Sequence, residues 1–156
     1  MKKFFAFALA LVACVMTFTS CEKKIESPLV GSWSHKGTLR VVNPVDGTSV
    51  TYEALFSFDF IDNGDFQYNI SIIPEGDVVA IHDEYITFGT WTVEGDIITL
   101  SKKTYGLRHD GQFTVDATFK PSEELVKWRI DGHNLIVKRE YGTEKEYEES
   151  FSDGSR

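Results

Sequence analysis

One pattern constrains this chain more than any other. Between Val50 and Ile72, apolar and polar residues alternate with a period of two, broken once by a glycine turn. Val50, Tyr52, Ala54, Phe56, Phe58 and Phe60 fall on one phase, and Thr51, Glu53, Ser57 and Asp59 on the other, with Leu55 the exception. Successive side chains of a strand point to opposite faces, so the run is a half-buried antiparallel strand. Asp62-Asn63-Gly64-Asp65 supplies a turn, with glycine free to take a positive φ. Phe66, Tyr68, Ile70 and Ile72 then alternate with Gln67, Asn69 and Ser71. The two runs form a long aromatic hairpin.

The rest of the chain continues in the same manner. Tyr85 to Val93 reads as a strand that turns at Glu94-Gly95-Asp96 and returns over Ile97 to Lys102, with Thr104 to Arg108 as a possible continuation. Phe113, Val115, Ala117 and Phe119 alternate with Gln112, Thr114, Asp116 and Thr118, up to Pro121-Ser122-Glu123. Leu125 to Ile130 pairs with Leu135 to Tyr141 across Asp131-Gly132-His133-Asn134, and Lys145 to Phe151 makes a closing strand. No segment carries a helical period. An internal echo supports this division: Trp91-Thr92-Val93-Glu94-Gly95 matches Trp128-Arg129-Ile130-Asp131-Gly132, and Phe60 to Gly64 keeps the same aromatic-to-glycine spacing. Repeated hairpins are the sequence form of an up-and-down meander. The expected fold is therefore all-β, an up-and-down antiparallel meander of about eight or nine strands closed into a barrel, because closure removes both exposed edges.

The first residues belong to something else. Lys2 and Lys3 precede an uncharged apolar run from Phe4 to Val15, which gives way to the polar Thr17 and the small Thr19 and Ser20. That order is a secretory leader, and the run is short for a membrane-spanning helix, which needs about 20 apolar residues. The expected organisation is a leader over 1–20, a tether over 21–28 and one β domain over 29–156. Cys14 leaves with the leader, so Cys21 is the one cysteine of the mature chain and no disulfide is available. The formal charge of −8 becomes more negative without Lys2 and Lys3. An acidic domain of this kind excludes nucleic acid as a partner and broad adsorption to anionic lipid.

Phe18-Thr19-Ser20-Cys21 resembles the lipobox of bacterial lipoproteins, in the looser form of Bacteroidota-type lipoproteins, with Phe18 where leucine is more usual. The resemblance implies that Cys21 carries a thioether-linked diacylglycerol and, after cleavage, a third acyl chain on its amine. One chain holds a protein to a membrane marginally, and two or more hold it firmly. Glu22 is followed at once by Lys23 and Lys24, which makes a poor acidic surface-export tag. The expected location is the outer membrane of a bacterial envelope, on its periplasmic face.

Leu29-Val30-Gly31-Ser32-Trp33, and the later Gly89-Thr90-Trp91-Thr92-Val93-Glu94-Gly95-Asp96 block, resemble lipocalin-like (calycin-like) domains of bacterial lipoproteins. The resemblance spans roughly Leu29 to Phe151, without the helix that packs on a lipocalin proper. It implies that Gly31 and Trp33 form the first corner of the barrel. It also implies that an arginine of a late strand, Arg139 or Arg129, stacks on Trp33.

Candidate chemistry is sparse. His35, His82, His109 and His133 have no partner at metal-ligand spacing. The densest cluster, His82-Asp83-Glu84 with Asp77 nearby, reads as a solvated loop in preference to a metal site. No Gly-x-Ser-x-Gly elbow occurs. Glu53 and Asp59 could face each other across a cleft, but their phase places them on the outer wall. The chain is accordingly read as a non-enzyme with no metal and no cofactor. The apolar phase is unusually aromatic, with Phe113, Phe119 and Trp128 joining the residues above. Either these rings fill a small barrel completely, or some of them line a cavity for a small apolar or flat ligand at the mouth. Tyr52, Phe56, Phe58, Tyr68 and Trp91 are the candidates for the second role. A packed barrel serving as an envelope interaction module is the alternative function.

Overall fold

The computed structural model describes residues 24–43, 45–73 and 83–154. Among them are nine strands: β1 (Gly31–Val42), β2 (Ser49–Phe60), β3 (Asp65–Ile72), β4 (Glu84–Glu94), β5 (Ile97–His109), β6 (Gln112–Val115), β7 (Ser122–Asp131), β8 (Asn134–Arg139) and β9 (Tyr147–Asp153). All pairings are antiparallel. Eight strands close into a ring in the order β1-β2-β3-β4-β5-β7-β8-β9, with β9 returning to β1, and β6 pairs with the upper part of β5 outside that ring. The expected all-β meander and its closure into a barrel are thus observed.

The repeated aromatic-to-glycine units all fall at one end. The β2–β3, β4–β5 and β7–β8 turns lie there, and Gly95 (φ 61°) and Gly132 (φ 62°) hold left-handed conformations that a side chain would strain. Phe60 and Trp91, one inward position before their turns, meet edge to face at 5.1 Å. Trp91 donates its indole N–H to the Ile61 carbonyl at 3.0 Å. Beneath them Leu29 is fully buried and accepts the Trp33 indole N–H at 2.9 Å. Gly31 opens β1 and Trp33 is buried two residues on, so this end is closed. The core continues upward through Phe58, whose ring lies 5.3 Å from Phe60, 5.3 Å from Phe151 and 4.4 Å from Tyr68.

Three expectations need correction. The strand drawn over Phe113 to Phe119 stops at Val115, because the Asp116 carboxylate accepts hydrogen bonds from the Thr118 N–H (2.8 Å) and hydroxyl (2.6 Å) and turns the chain. Phe113 is not on the inner face. Gly89 pairs with Lys102 and Phe88 with Thr104, which leaves Lys103 as a bulge. Ile98, Leu100 and Lys102 face inward below it, and Tyr105 and Leu107 above it. Phe113, paired with Arg108, therefore lies outside, edge to face with Phe88 at 5.5 Å. The segment drawn as a tether is docked from Ile25 on: its N–H donates to the Asp62 carbonyl at 2.6 Å, and its side chain packs on the core.

Gly89 sits at the bulge, where a Cβ would come 2.1 Å from the Ser101 carbonyl oxygen and 2.7 Å from Phe66 Cε1. The first neighbour is backbone and cannot step aside. Gly89→Ala is expected to cost about 3 kcal/mol, the upper end of what overpacking does. A denaturant midpoint unchanged from the wild type would refute this close approach.

Candidate functional site

Above the aromatic layers the inner face changes character. On β5 the inward phase runs Ile98, Leu100, Lys102; on β7, Glu124 then Val126; on β8, Leu135, Val137, Arg139; on β9, Glu149 then Phe151; on β1, Trp33 then His35. Each of these five strands thus places one ionisable side chain just beyond its apolar inward residues. The register brings the five together. Arg139 grips Glu124 through two parallel hydrogen bonds, Nε to Oε1 at 2.5 Å and Nη2 to Oε2 at 2.8 Å. Lys102 Nζ lies 2.7 Å from Glu124 Oε2. Arg139 Nη1 reaches Glu149 Oε2 at 3.4 Å, and Glu149 Oε1 faces His35 Nε2 at 3.6 Å across the β1–β9 seam. The result is a belt of alternating charge across five neighbouring strands, with two cations balancing two carboxylates.

Burial makes the belt selective about charge. Glu124 is 3% exposed and Arg139 6%. Burial pushes the Glu124 carboxyl up, but the hydrogen bonds and charges of Arg139 and Lys102 together outweigh it and bring it from an ordinary 4.5 down to about 2. For Arg139, burial favours deprotonation, and Glu124 reverses that and holds the guanidinium charged. Its flat face is covered by aromatic rings, with Cζ 5.1 Å from the Phe58 centroid, 4.8 Å from Tyr68 and 6.0 Å from Tyr147. Burial also raises the Tyr68 hydroxyl, which the neighbouring guanidinium only partly opposes.

His35 ends the belt. Its ring stacks on Phe56 (4.9 Å, 6°) and meets Phe151 edge-on at 4.6 Å. The 3.6 Å approach to Glu149 is an electrostatic contact too long for a hydrogen bond, and His35 Nε2 is a buried atom with no hydrogen-bond partner among the described residues. The seam it spans is narrow in backbone terms, for β1 and β9 pair only through Trp33 with Asp153 and Ser34 with Ser152.

Beyond the belt lies the open end. The β1–β2 ribbon projects past β9, and its inner face carries Leu39, Val41, Val50 and Tyr52, of which Val50 is 53% exposed and Tyr52 38%. Opposite, Tyr85 and Tyr105 run parallel with centroids 6.4 Å apart, and Phe119 lies 5.8 Å from Tyr105. With Leu107, Thr114 and Asp116 the two tyrosines border a hollow of about 470 Å³.

The five residues singled out as ligand candidates do not share one cavity. Tyr52 stands at the mouth, Phe56 and Tyr68 pack against the belt, and Phe58 and Trp91, each 1% exposed, belong to the packed core below it. Glu53 and Asp59 lie six residues apart on the outer face of β2, and Asp59 accepts a hydrogen bond from the Ser32 hydroxyl. Arg139 does not stack on Trp33. Trp33 is level with Asp153 at the closed end, whereas Arg139 pairs with Tyr147, about 20 Å further up β9. Arg129 is exposed and faces Glu148. Cys21, Asp77 and His82 lie outside the described residues. Asp83 lies 2.6 Å from His109 Nδ1, and that hydrogen bond raises the His109 pKa. Glu84 pairs with Arg108 at 2.8 Å.

Sequence reasoning missed the belt, although its signal was present: Lys102, Glu124, Arg139 and Glu149 each fall on the apolar phase of their strands. No protein-family model matches the chain, and no curated protein matches it.

Removing Arg139 alone leaves Glu124 buried with only Lys102. Arg139→Met is expected to cost roughly 3–5 kcal/mol, and adding Glu124→Leu is expected to return part of that. A double variant as unstable as the sum of the singles would mean that the two groups are not coupled. The Glu124 carboxyl, lowered on folding, contributes stability that is full above pH 4.5 and is lost as pH falls through about 2. Acid unfolding of Glu124→Gln should accordingly show a shallower slope between pH 4.5 and 2 than the wild type.

Proposed function

We propose that this chain is a membrane-anchored, lipocalin-like lipoprotein of the bacterial envelope that binds a small apolar or flat ligand at the barrel mouth. One observation carries the ligand reading: apolar and aromatic side chains of the inner face remain uncovered above the belt. Below it the same face is filled, with Phe58, Trp91, Leu135 and Phe151 at 0–1% exposure. A core that has room for nothing directs binding to the end that is left open. The surface there suits a flat, mostly apolar molecule, since Tyr85, Tyr105 and Phe119 offer ring faces and Leu39, Val41, Val50 and Tyr52 offer an aliphatic wall. Lys102 and Glu149, with side chains 21% and 14% exposed, give that space a polar floor without net charge. The anchor rests on the Cys21 motif, and the outer-membrane location on the residues that follow it.

The alternative, an interaction module with a packed barrel, is favoured by the ribbon tip, where Val45 is 91% exposed and Val42 53%. The two readings part on a titration with the environment-sensitive dye N-phenyl-1-naphthylamine. A saturable rise in emission is expected, weakened about tenfold or more in Tyr85→Ala/Tyr105→Ala, in line with about 1.4 kcal/mol or more from two lost ring contacts. Saturable binding that the double variant leaves unaltered would exclude the mouth as the site. No saturable binding, together with cross-links from position 45 to a neighbouring envelope protein, would favour the interaction module.

A further inference from the structure

We infer that the barrel stands on its anchoring membrane by the closed end, so that the mouth takes its ligand from the aqueous phase and not from lipid of the anchoring leaflet. The inference rests on the proposed lipidation of Cys21. Its structural ground is where the chain becomes fixed. Lys24 Nζ pairs with Asp62 at 3.0 Å, the Ile25 N–H donates to the Asp62 carbonyl at 2.6 Å, and Leu29 is buried beneath Trp33. All of these contacts are at the closed end. Three residue steps separate Cys21 from Lys24, a reach of at most about 11 Å. The strand that starts there climbs away from it: β1 spans 12 residues, roughly 36 Å along the strand. At the usual barrel tilt of about 35–45° that is an axial height of some 25–30 Å. The leash cannot bring an upright barrel's mouth back to the lipid.

Lying flat would be the other way down, and the polar wall beside the docked segment does not favour it. The outer face of β2–β4 presents Ser57, Asp59, Gln67, Asn69, Thr90 and Thr92, and the exposed apolar residues of the outer wall, Phe113, Val115 and Leu125, sit on β6 and β7 beside Arg108, Glu123 and Lys127. The chain's net charge of −8 adds repulsion from an anionic leaflet. The ligand class narrows accordingly. A phospholipid would have to leave the bilayer and cross water to enter, whereas a water-carried apolar or flat small molecule meets the mouth directly.

The test uses the lipidated protein in phosphatidylethanolamine/phosphatidylglycerol vesicles, with a thiol-reactive fluorophore on Val45→Cys at the ribbon tip or on Asp131→Cys at the closed end. Quenching by headgroup-labelled lipid is expected to be at least about twofold stronger at position 131 than at 45, given the separation along the barrel. A photoactivatable phospholipid in the same leaflet should leave Tyr52 and Tyr105 unlabelled. Equal quenching at both positions, or recovered cross-links on those tyrosines, overturns the inference while leaving the anchor intact. An intact mass without acyl chains on Cys21 instead overturns the anchor, and the inference falls with it.

Discussion

The pairing of Glu124 with Arg139 and Lys102 is the interaction on which the upper barrel depends. Taking a carboxylate and a guanidinium out of water is costly, and their attraction offsets that only when geometry is good and the remaining donors and acceptors are used. Here the pair is bidentate, and the second carboxylate oxygen also meets Lys102. The Glu140 N–H adds a further contact at 3.3 Å. The aromatic faces of Phe58 and Tyr68 cover the guanidinium. Because the contacts run diagonally from strand to strand, a slip of one residue on β7 or β8 would turn its charge to the outer face and leave its partner buried alone. Aliphatic side chains could fill the same volume, but they would tolerate such a slip far better.

The belt also divides the molecule. Below it the aromatic rings are packed as a core is packed, and the indole N–H groups of Trp33 and Trp91 close the end on backbone carbonyls. Above it the strands outgrow the ring they belong to: β1 and β2 continue as a two-stranded ribbon, and β5 carries β6 on its side. Rigid base and splayed rim are different tasks, and separate stretches of the same strands perform them.

Most of the fold was legible because one half of each strand obeys alternation and every closed-end hairpin announces its turn with glycine. What failed to read did so for physical reasons. The phase of β5 reverses at Lys103, and a bulge is invisible to a count of two; that is why Phe113 was placed on the wrong face. The strand expected through Phe119 ended at an Asp116–Thr118 turn that competes locally with the ladder. The candidate site was misread more deeply. Charges were taken as outer-wall residues by default, so Lys102, Glu124 and Glu149 were passed over and Arg139 was matched to Trp33 instead of Glu124, although each is in phase with Leu100, Val126, Val137 or Phe151. Polar residues on an apolar phase are rare enough in a barrel that their coincidence across adjacent strands is itself information. Whether Arg139 reaches Trp33 was beyond sequence, because it depends on how the strands are staggered.

The seam between β1 and β9 has a consequence for how this molecule assembles. The hairpins join residues close in sequence and can form early. The ring closes only when the first strand meets the last, a contact between residues some 120 positions apart, and chain entropy makes such closures slow. That junction is also the shortest in the ring, two residue pairs against twelve between β1 and β2. A long loop to close and a short junction to hold it both favour a ring that closes late and opens early. A barrel opened at that junction would be a nearly complete meander with two bare edges, the form most exposed to pairing with another chain.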